Sequence, residues 1–304
     1  MTKYLIAIVG PTAIGKTSLS IALAKYFNTA IVSCDSRQVF KEMTIGTAVP
    51  SKEELASAKH YFIQSKSIFE PYNVGQFERE ALETLNTLFA TKDVVIMVGG
   101  SGLYADAVIN GLDYFPDVDP DIRIQLKKEL KDKGLENLQL KLKELDIDSY
   151  NNLEIDNPQR VCRALEICIG TGKTYSSFKN KEKTKRPFKT ILIGLDAERK
   201  ILYERINKRV DIMFTEGLKE EAFKLYPSKD LNALQTVGYK EFFQLFDGNY
   251  NIETTSEEIK KNTRRFAKRQ LTWFKKNKDI TWFDYKNTRA IIPFLDTKLK
   301  TDDL

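Results

Sequence analysis

Gly10, Gly15, Lys16 and Thr17 stand at the spacing G-x-x-x-x-G-K-T within Gly10-Pro11-Thr12-Ala13-Ile14-Gly15-Lys16-Thr17. An apolar run ends at Gly10 and a helical pattern starts beyond Thr17, so the segment joins a strand to a helix. In that setting the loop turns its backbone N–H groups inward around a phosphate at the helix N-terminus. Lys16 adds a point charge, the Thr17 hydroxyl can ligate magnesium, and glycine at both ends lets the backbone come close. A chance match in a chain of this length arises about once in a hundred. The blander alternative, a glycine-rich turn with a surface lysine, leaves the strand-to-helix context unexplained. By motif the loop is a nucleotide-binding, ATP-binding type, but it does not say whose phosphate it holds.

A second group follows the short strand Ala30 to Ser33, at Cys34-Asp35-Ser36-Arg37-Gln38. Asp35 stands at the carboxyl end of a sheet strand beside the phosphate loop, the edge at which open α/β sheets bind ligands. It could act as a general base, with Lys16, Thr17 and Ser101 around a leaving diphosphate. It could equally form a helix cap or an Asx turn. The strand Val94 to Val98 runs into Gly99-Gly100-Ser101-Gly102, where many P-loop NTPases place a magnesium-orienting acid, and no acid stands there. A guanine-reading Asn/Thr-Lys-x-Asp motif is also missing, which argues against a GTPase.

The single histidine, His60, and three cysteines, Cys34, Cys162 and Cys168, without a C-x-x-C pair, offer neither a zinc cluster nor a disulfide framework. A Ser-His-Asp arrangement is disfavoured on the same count, so a general base is expected to be a carboxylate. With 304 residues, 42% hydrophobic and 30% charged, the chain reads as a globular protein larger than one usual domain. No apolar run reaches membrane-spanning length, and the start lacks the regions of a signal peptide. A cytoplasmic monomer with no membrane attachment is the expectation.

These groups need elements to hold them. Tyr4 to Val9, Ala30 to Ser33, Val94 to Val98 and Ile191 to Leu195 read as strands, with Ile280 to Phe283 as a last one; Phe77 to Phe89 reads as an amphipathic helix. Alternating strand and helix implies a parallel sheet covered on both faces. The fold class is α/β: a P-loop NTPase-like parallel sheet flanked by helices over 1–115 and 185–304, with an all-helical insertion over 116–184. Within the insertion, Ile122 to Lys133, Leu135 to Leu145 and Pro158 to Ile169 carry helical patterns. Lys181 to Lys189 reads as an exposed basic linker back to the core.

The net charge of +6 is modest, so its placement matters more. Ile259 to Lys278, in a helical pattern from Glu257 to Lys278, carries nine Lys/Arg and no acid, with Ile259, Phe266, Trp273 and Phe274 near helical spacing. Such a helix suits a polyphosphate backbone, or is a solvated face. Arg160 and Arg163 lie on one helix face and, with Arg123, could grip an RNA loop; pairing with Glu154, Asp156 or Glu166 explains them equally well.

Taken in order along nearly the whole chain, these segments resemble the tRNA dimethylallyltransferases, or tRNA isopentenyltransferases, of bacterial type. The resemblance rests on the phosphate loop, Asp35-Ser36-Arg37-Gln38-Val39, Ile45-Gly46-Thr47-Ala48, Val98 to Tyr104 and Asn157-Pro158-Gln159-Arg160 to Glu166. It continues in Gly170-Thr171-Gly172-Lys173, Met213 to Gly217, Val237 to Glu241 and Thr263 to Trp273. It implies transfer of a dimethylallyl group from dimethylallyl diphosphate, with Mg2+, to N6 of the adenosine 3′ of a tRNA anticodon, in tRNAs reading codons that begin with U. Asp35 then falls on the general base, and Lys16, Thr17, Ser101 and Arg209 on the leaving-group side. Asp35, Ser36, Arg37, Gln38, Ser101, Arg123, Gln159, Arg160, Val161, Cys162 and Arg163 correspond to positions that contact the tRNA anticodon stem-loop. Ser101 departs from a frequent threonine but keeps the hydroxyl. Competing readings are a small-molecule kinase, an isopentenyltransferase of free adenine nucleotides, and an RNA-binding protein with a vestigial loop.

Overall fold

All six residues of β1 (Tyr4–Val9) are buried in the computed structural model, which describes residues 2–179 and 184–301. Leu5, Ala7 and Val9 enter one core while Ile6 and Ile8 enter another. A strand covered on both faces needs an unbroken apolar run instead of alternation, and residues 4–9 supply it.

The chain continues through α1 (Lys16–Tyr26), β2 (Ile31–Ser33), α2 (Lys52–Ser57), β3 (His60–Tyr61), α3 (Val74–Phe89), β4 (Val94–Gly99) and α4 (Gly102–Asn110). Three helices follow: α5 (Pro120–Leu145), α6 (Ile147–Asn152) and α7 (Pro158–Thr171). The last part runs β5 (Lys189–Asp196), α8 (Arg199–Thr215), α9 (Leu218–Leu225), α10 (Tyr239–Phe246), α11 (Ile252–Phe274), β6 (Thr281–Asp284) and α12 (Ile291–Thr301). The strands form one sheet in the order β3-β2-β4-β1-β5-β6, every pair parallel. Because β4 lies between β2 and β1, the carboxyl ends of these three strands release residues 10–15, 34–38 and 100–101 side by side.

Helix α3 starts at a capping box in which Asn73 and Gln76 satisfy each other's backbone N–H groups. Its buried side chains, Phe77, Ala81, Leu85 and Phe89, recur every fourth residue and pack on one sheet face with Ala105 and Val108 of α4. Burying each of the larger ones contributes roughly 2 kcal/mol. The opposite face is covered by Leu19 and Leu23 of α1, Leu202 and Ile206 of α8, and Ile291 and Leu295 of α12. A third cluster joins Val39, Phe40 and Met43 to α9 and α10 through Leu218, Ala222, Tyr239 and Phe242.

The chain divides into two units, Met1–Asn110 with Lys185–Leu304, and Gly111–Thr184. The smaller has its own core of Leu126, Leu138, Leu142, Val161, Ala164 and Leu165. Asp119 and Asn157 cap α5 and α7, each followed by proline at the first helical position, where a missing N–H costs nothing.

The structure departs from the sequence reading in several places. The smaller unit begins at Gly111, ahead of residue 116. By contrast, the break read between residues 133 and 135 is present: α5 is two helical stretches parted at Gly134, whose φ of 81° and ψ of 175° are not helical. Strand β3 has only two residues, too few to leave a pattern, and α12 follows the last strand unannounced. Of the basic linker, residues 181–183 lie outside the described residues, and Arg186 is not exposed. Its side chain is 10% exposed, pairs with Glu78 at 2.5 Å and donates to the carbonyls of Ala107 and Val108.

Candidate active site

The phosphate loop leaves β1 at Gly10, whose φ of 143° and whose closeness to the Leu195 carbonyl, 2.6 Å from where a Cβ would stand, exclude a side chain. Gly15, at φ 107°, caps α1 with no side-chain bond, so the first-turn N–H groups stay open to an anion. The Lys16 ammonium lies across the loop and donates to the carbonyls of Gly10 at 3.0 Å and Pro11 at 2.7 Å. Burial, and then the charge of Arg209, lower its pKa to about 8, against a weaker upward pull from Asp35 and Cys34.

Helix α8 sends two arginines to the same loop. Arg209 donates to the Thr12 hydroxyl at 3.3 Å, and Arg205 donates through Nε to the Ala13 carbonyl at 2.7 Å with its guanidinium over the Tyr285 ring. Burial, then the charge of Arg205, holds the Arg209 pKa below its ordinary value. Three cations thus converge on a loop with open N–H donors, an arrangement that suits an anion of high charge density.

Asp35 forms the turn that the sequence offered as one of its two readings, through one carboxylate oxygen. Its Oδ1 accepts from the N–H groups of Arg37 at 2.9 Å and Gln38 at 3.2 Å, an Asx turn. Among the described residues, Oδ2 accepts no hydrogen bond, so one carboxylate oxygen orients the group and the other is free to take a proton. The Ser101 hydroxyl, at the start of α4, accepts from the Ser36 N–H at 3.0 Å and donates to the Ser36 hydroxyl at 3.1 Å. Arg37 reaches Asn232 at 3.5 Å, and its pKa is lowered by burial. The Gln38 amide donates to the carbonyls of Thr47 and Ala48. The structure therefore brings Lys16, Thr17, Asp35, Ser36, Ser101 and Arg209 to one sheet edge.

In the smaller unit, Arg123, Gln159 and Arg160 are exposed, and Arg163 is partly so. Arg160 pairs with Glu154 at 3.4 Å; Arg163 pairs with Glu166 at 3.2 Å and lies over the Phe115 ring. Cys162 is half-buried, its thiol pushed up by burial. Val161 is fully buried in that unit's core, so its side chain does not face solvent.

The IPP transferase family model matches residues 38–277 of this chain. The chain belongs to the IPP transferase family. The match starts at Gln38, after the phosphate loop and Asp35, but relatives extend through both. The tRNA dimethylallyltransferase of Flavobacterium psychrophilum is 59% identical over 98% of this chain and 99% of its own length. That of Christiangramia forsetii is 57% identical over 99% and 100%. Among solved structures, the tRNA isopentenylpyrophosphate transferase of Bacillus halodurans superposes with a TM-score of 0.74 at 38% identity, covering 99% of this chain and 98% of that one. A eukaryotic dimethylallyltransferase acting on tRNA gives 0.78 at 27% identity, covering 93% and 74%.

In this IPP transferase two residues of the site escape the sequence reading. Arg205 stands four residues before Arg209 on one helix, a spacing that places both on the same face. Gln270 falls between Ala267 and Phe274 on the buried stripe of α11, where a lone amide signals a polar partner inside. Part of the basic stretch is already partnered: Lys260 and Arg264, both largely covered, bond to Asp211 and Asn207, and the exposed Lys275 pairs with Asp196. Arg265, Lys268, Arg269, Lys276 and Lys278 remain exposed.

Proposed function

We propose that this protein is a tRNA dimethylallyltransferase that joins the dimethylallyl group of dimethylallyl diphosphate to N6 of the adenosine 3′ of the anticodon, in tRNAs reading U-initial codons. The observation that carries the reading is the pairing, at one sheet edge, of a three-cation phosphate cradle with the free Oδ2 of Asp35. The adenine nitrogen is a weak nucleophile because its lone pair is delocalised into the ring. The barrier is therefore lowered mainly on the leaving side, where Lys16, Arg209 and the loop N–H groups stabilise the departing charge. The C1–O bond breaks with its electrons on diphosphate, N6 bonds to C1, and the N6 proton passes to Asp35.

Magnesium fits the donor set. Among the described residues no group of three metal-ligating side chains is found, so the protein offers no cage for a resident ion. The Thr17 hydroxyl has no protein partner among them, and Mg2+ characteristically keeps waters and takes oxygens from substrate phosphates. The ion would supply charge neutralisation at the diphosphate. On the RNA side, Ser36, Arg37 and Ser101 border the acceptor end. Arg123, Gln159, Arg160, Arg163 and the exposed cations of α11 supply phosphate and base contacts.

The test is nucleoside mass spectrometry of undermodified tRNA incubated with the protein, Mg2+ and dimethylallyl diphosphate. The expected product is N6-dimethylallyladenosine beside the anticodon. Efficient transfer of an ATP γ-phosphate without prenylation would give the site to the kinase reading. Prenylation of free AMP but not tRNA would give it to the nucleotide-modifying one.

A further inference from the structure

Gln270 is 6% exposed, and both ends of its amide are used. Its oxygen accepts from the Thr12 N–H at 2.9 Å, and its nitrogen donates to the Gly100 carbonyl at 2.9 Å. Thr12 belongs to the phosphate loop after β1, and Gly100 to the turn after β4. A Cβ at Gly100 would lie 2.2 Å from the amide nitrogen, so the glycine makes room for this bridge. Gly100 in turn precedes Ser101, whose hydroxyl receives the Ser36 N–H next to Asp35. A continuous line of bonded groups therefore runs from the cradle, through Gln270, to the segment that carries the proposed base.

We propose that Gln270 is a positioning residue that sets the separation between the leaving diphosphate and the acceptor nitrogen, without touching either substrate. The proposal rests on the assignment of Asp35 as the base and of the loop as the diphosphate cradle. The chemistry of the bridge is specific. One end must accept and the other must donate across a set span, which an uncharged amide does and a carboxylate or ammonium does not. Because the Thr12 N–H is committed to Gln270, it is not among the donors left for phosphate. Loss of the bridge then leaves the phosphate grip and frees the spacing.

The experiment uses Gln270→Met, which keeps volume and helix propensity but makes neither bond, and Gln270→Glu. For Gln270→Met, kcat for tRNA prenylation should fall about ten- to a hundredfold, the scale of an ångström of misplacement. The Kd for inorganic diphosphate with Mg2+, which reads the cradle alone, should move by less than about threefold, since the other cradle donors are intact. For Gln270→Glu, the ionised carboxylate accepts from Thr12 but faces the Gly100 carbonyl, whereas the protonated acid regains the donor. Its kcat relative to the native enzyme should therefore rise as pH falls from 8.5 to 6, while the Gln270→Met ratio stays flat. Native-like kcat in both variants, diphosphate affinity lost in parallel with kcat, or a flat ratio for Gln270→Glu would each overturn the assignment. If Gln270→Met does not fold, the pH ratio of Gln270→Glu decides alone. A native enzyme that fails to prenylate tRNA would sink the functional reading and this one with it. Native turnover with unaltered variants sinks only the role of Gln270.

Discussion

Arg209 stands close enough to Lys16 that its charge, added to burial, holds the lysine's pKa at about 8. The ordinary value is 10.5, so between these two pH values the folded protein binds fewer protons here than the unfolded chain. Below about pH 8 the buried ammonium costs the ligand-free fold stability, on the order of 3 kcal/mol, and the cost fades as pH climbs toward 10.5.

Diphosphate binding has the opposite pH dependence. It needs the charged lysine, so affinity should be constant below pH 8 and weaken above it, by up to about tenfold per pH unit. Calorimetric titration with diphosphate and Mg2+ from pH 7 to 9.5 checks this. Arg209→Met should weaken binding yet move the midpoint upward, because it removes the repulsion; a midpoint unchanged in that variant would reject the pairing.

Asp35→Asn should separate the two oxygens of Asp35. Asparagine retains the acceptor of the Asx turn but cannot take a proton, so the melting temperature and tRNA binding should hold while transfer drops by at least about a hundredfold. Single-turnover prenylation beside a thermal melt measures both. Undiminished turnover would take the base away from Asp35.

Arg160→Ala should weaken tRNA binding and flatten its salt dependence by about one ion's worth, with no effect on the fold. Its pair with Glu154 is half in solvent, so losing it costs about 0–1 kcal/mol. Filter binding across a salt series reads the slope. An unchanged slope would return Arg160 to a surface ion pair.

Arg186→Met should unfold the protein more easily by about 3 kcal/mol, because Glu78 is left charged and poorly solvated. Adding Glu78→Leu should recover a good part of that loss. Denaturant melts of the two variants test the coupling, and additive losses would show that the pair does not act as a unit.

Removal of magnesium with a chelator should abolish transfer, and Thr17→Val should raise the Mg2+ concentration needed for half-maximal rate. Titration of the ion against initial rate measures this, and an identical midpoint in the variant would clear Thr17 of a metal contact.

What could be read without the fold was what contiguous residues decide. Residues 10–17 form their loop through their own backbone, so the motif announces itself, and the apolar run at 4–9 states that both faces of its strand are covered. The order of such runs along the chain carried the parallel sheet. Asp35 could be placed at a strand end, but the sequence left its two oxygens undivided between turn and chemistry.

Tertiary structure decided which polar groups are already spoken for. Gln270 and Thr12 are 258 residues apart, and no spacing rule relates them. Nine cations in twenty residues read either as an RNA surface or as a solvated face, yet Lys260, Arg264 and Lys275 find Asp211, Asn207 and Asp196 on other elements. The reason is physical: backbone geometry is set by neighbours in the chain, whereas burial forces each donor and acceptor to find a partner wherever packing brings one.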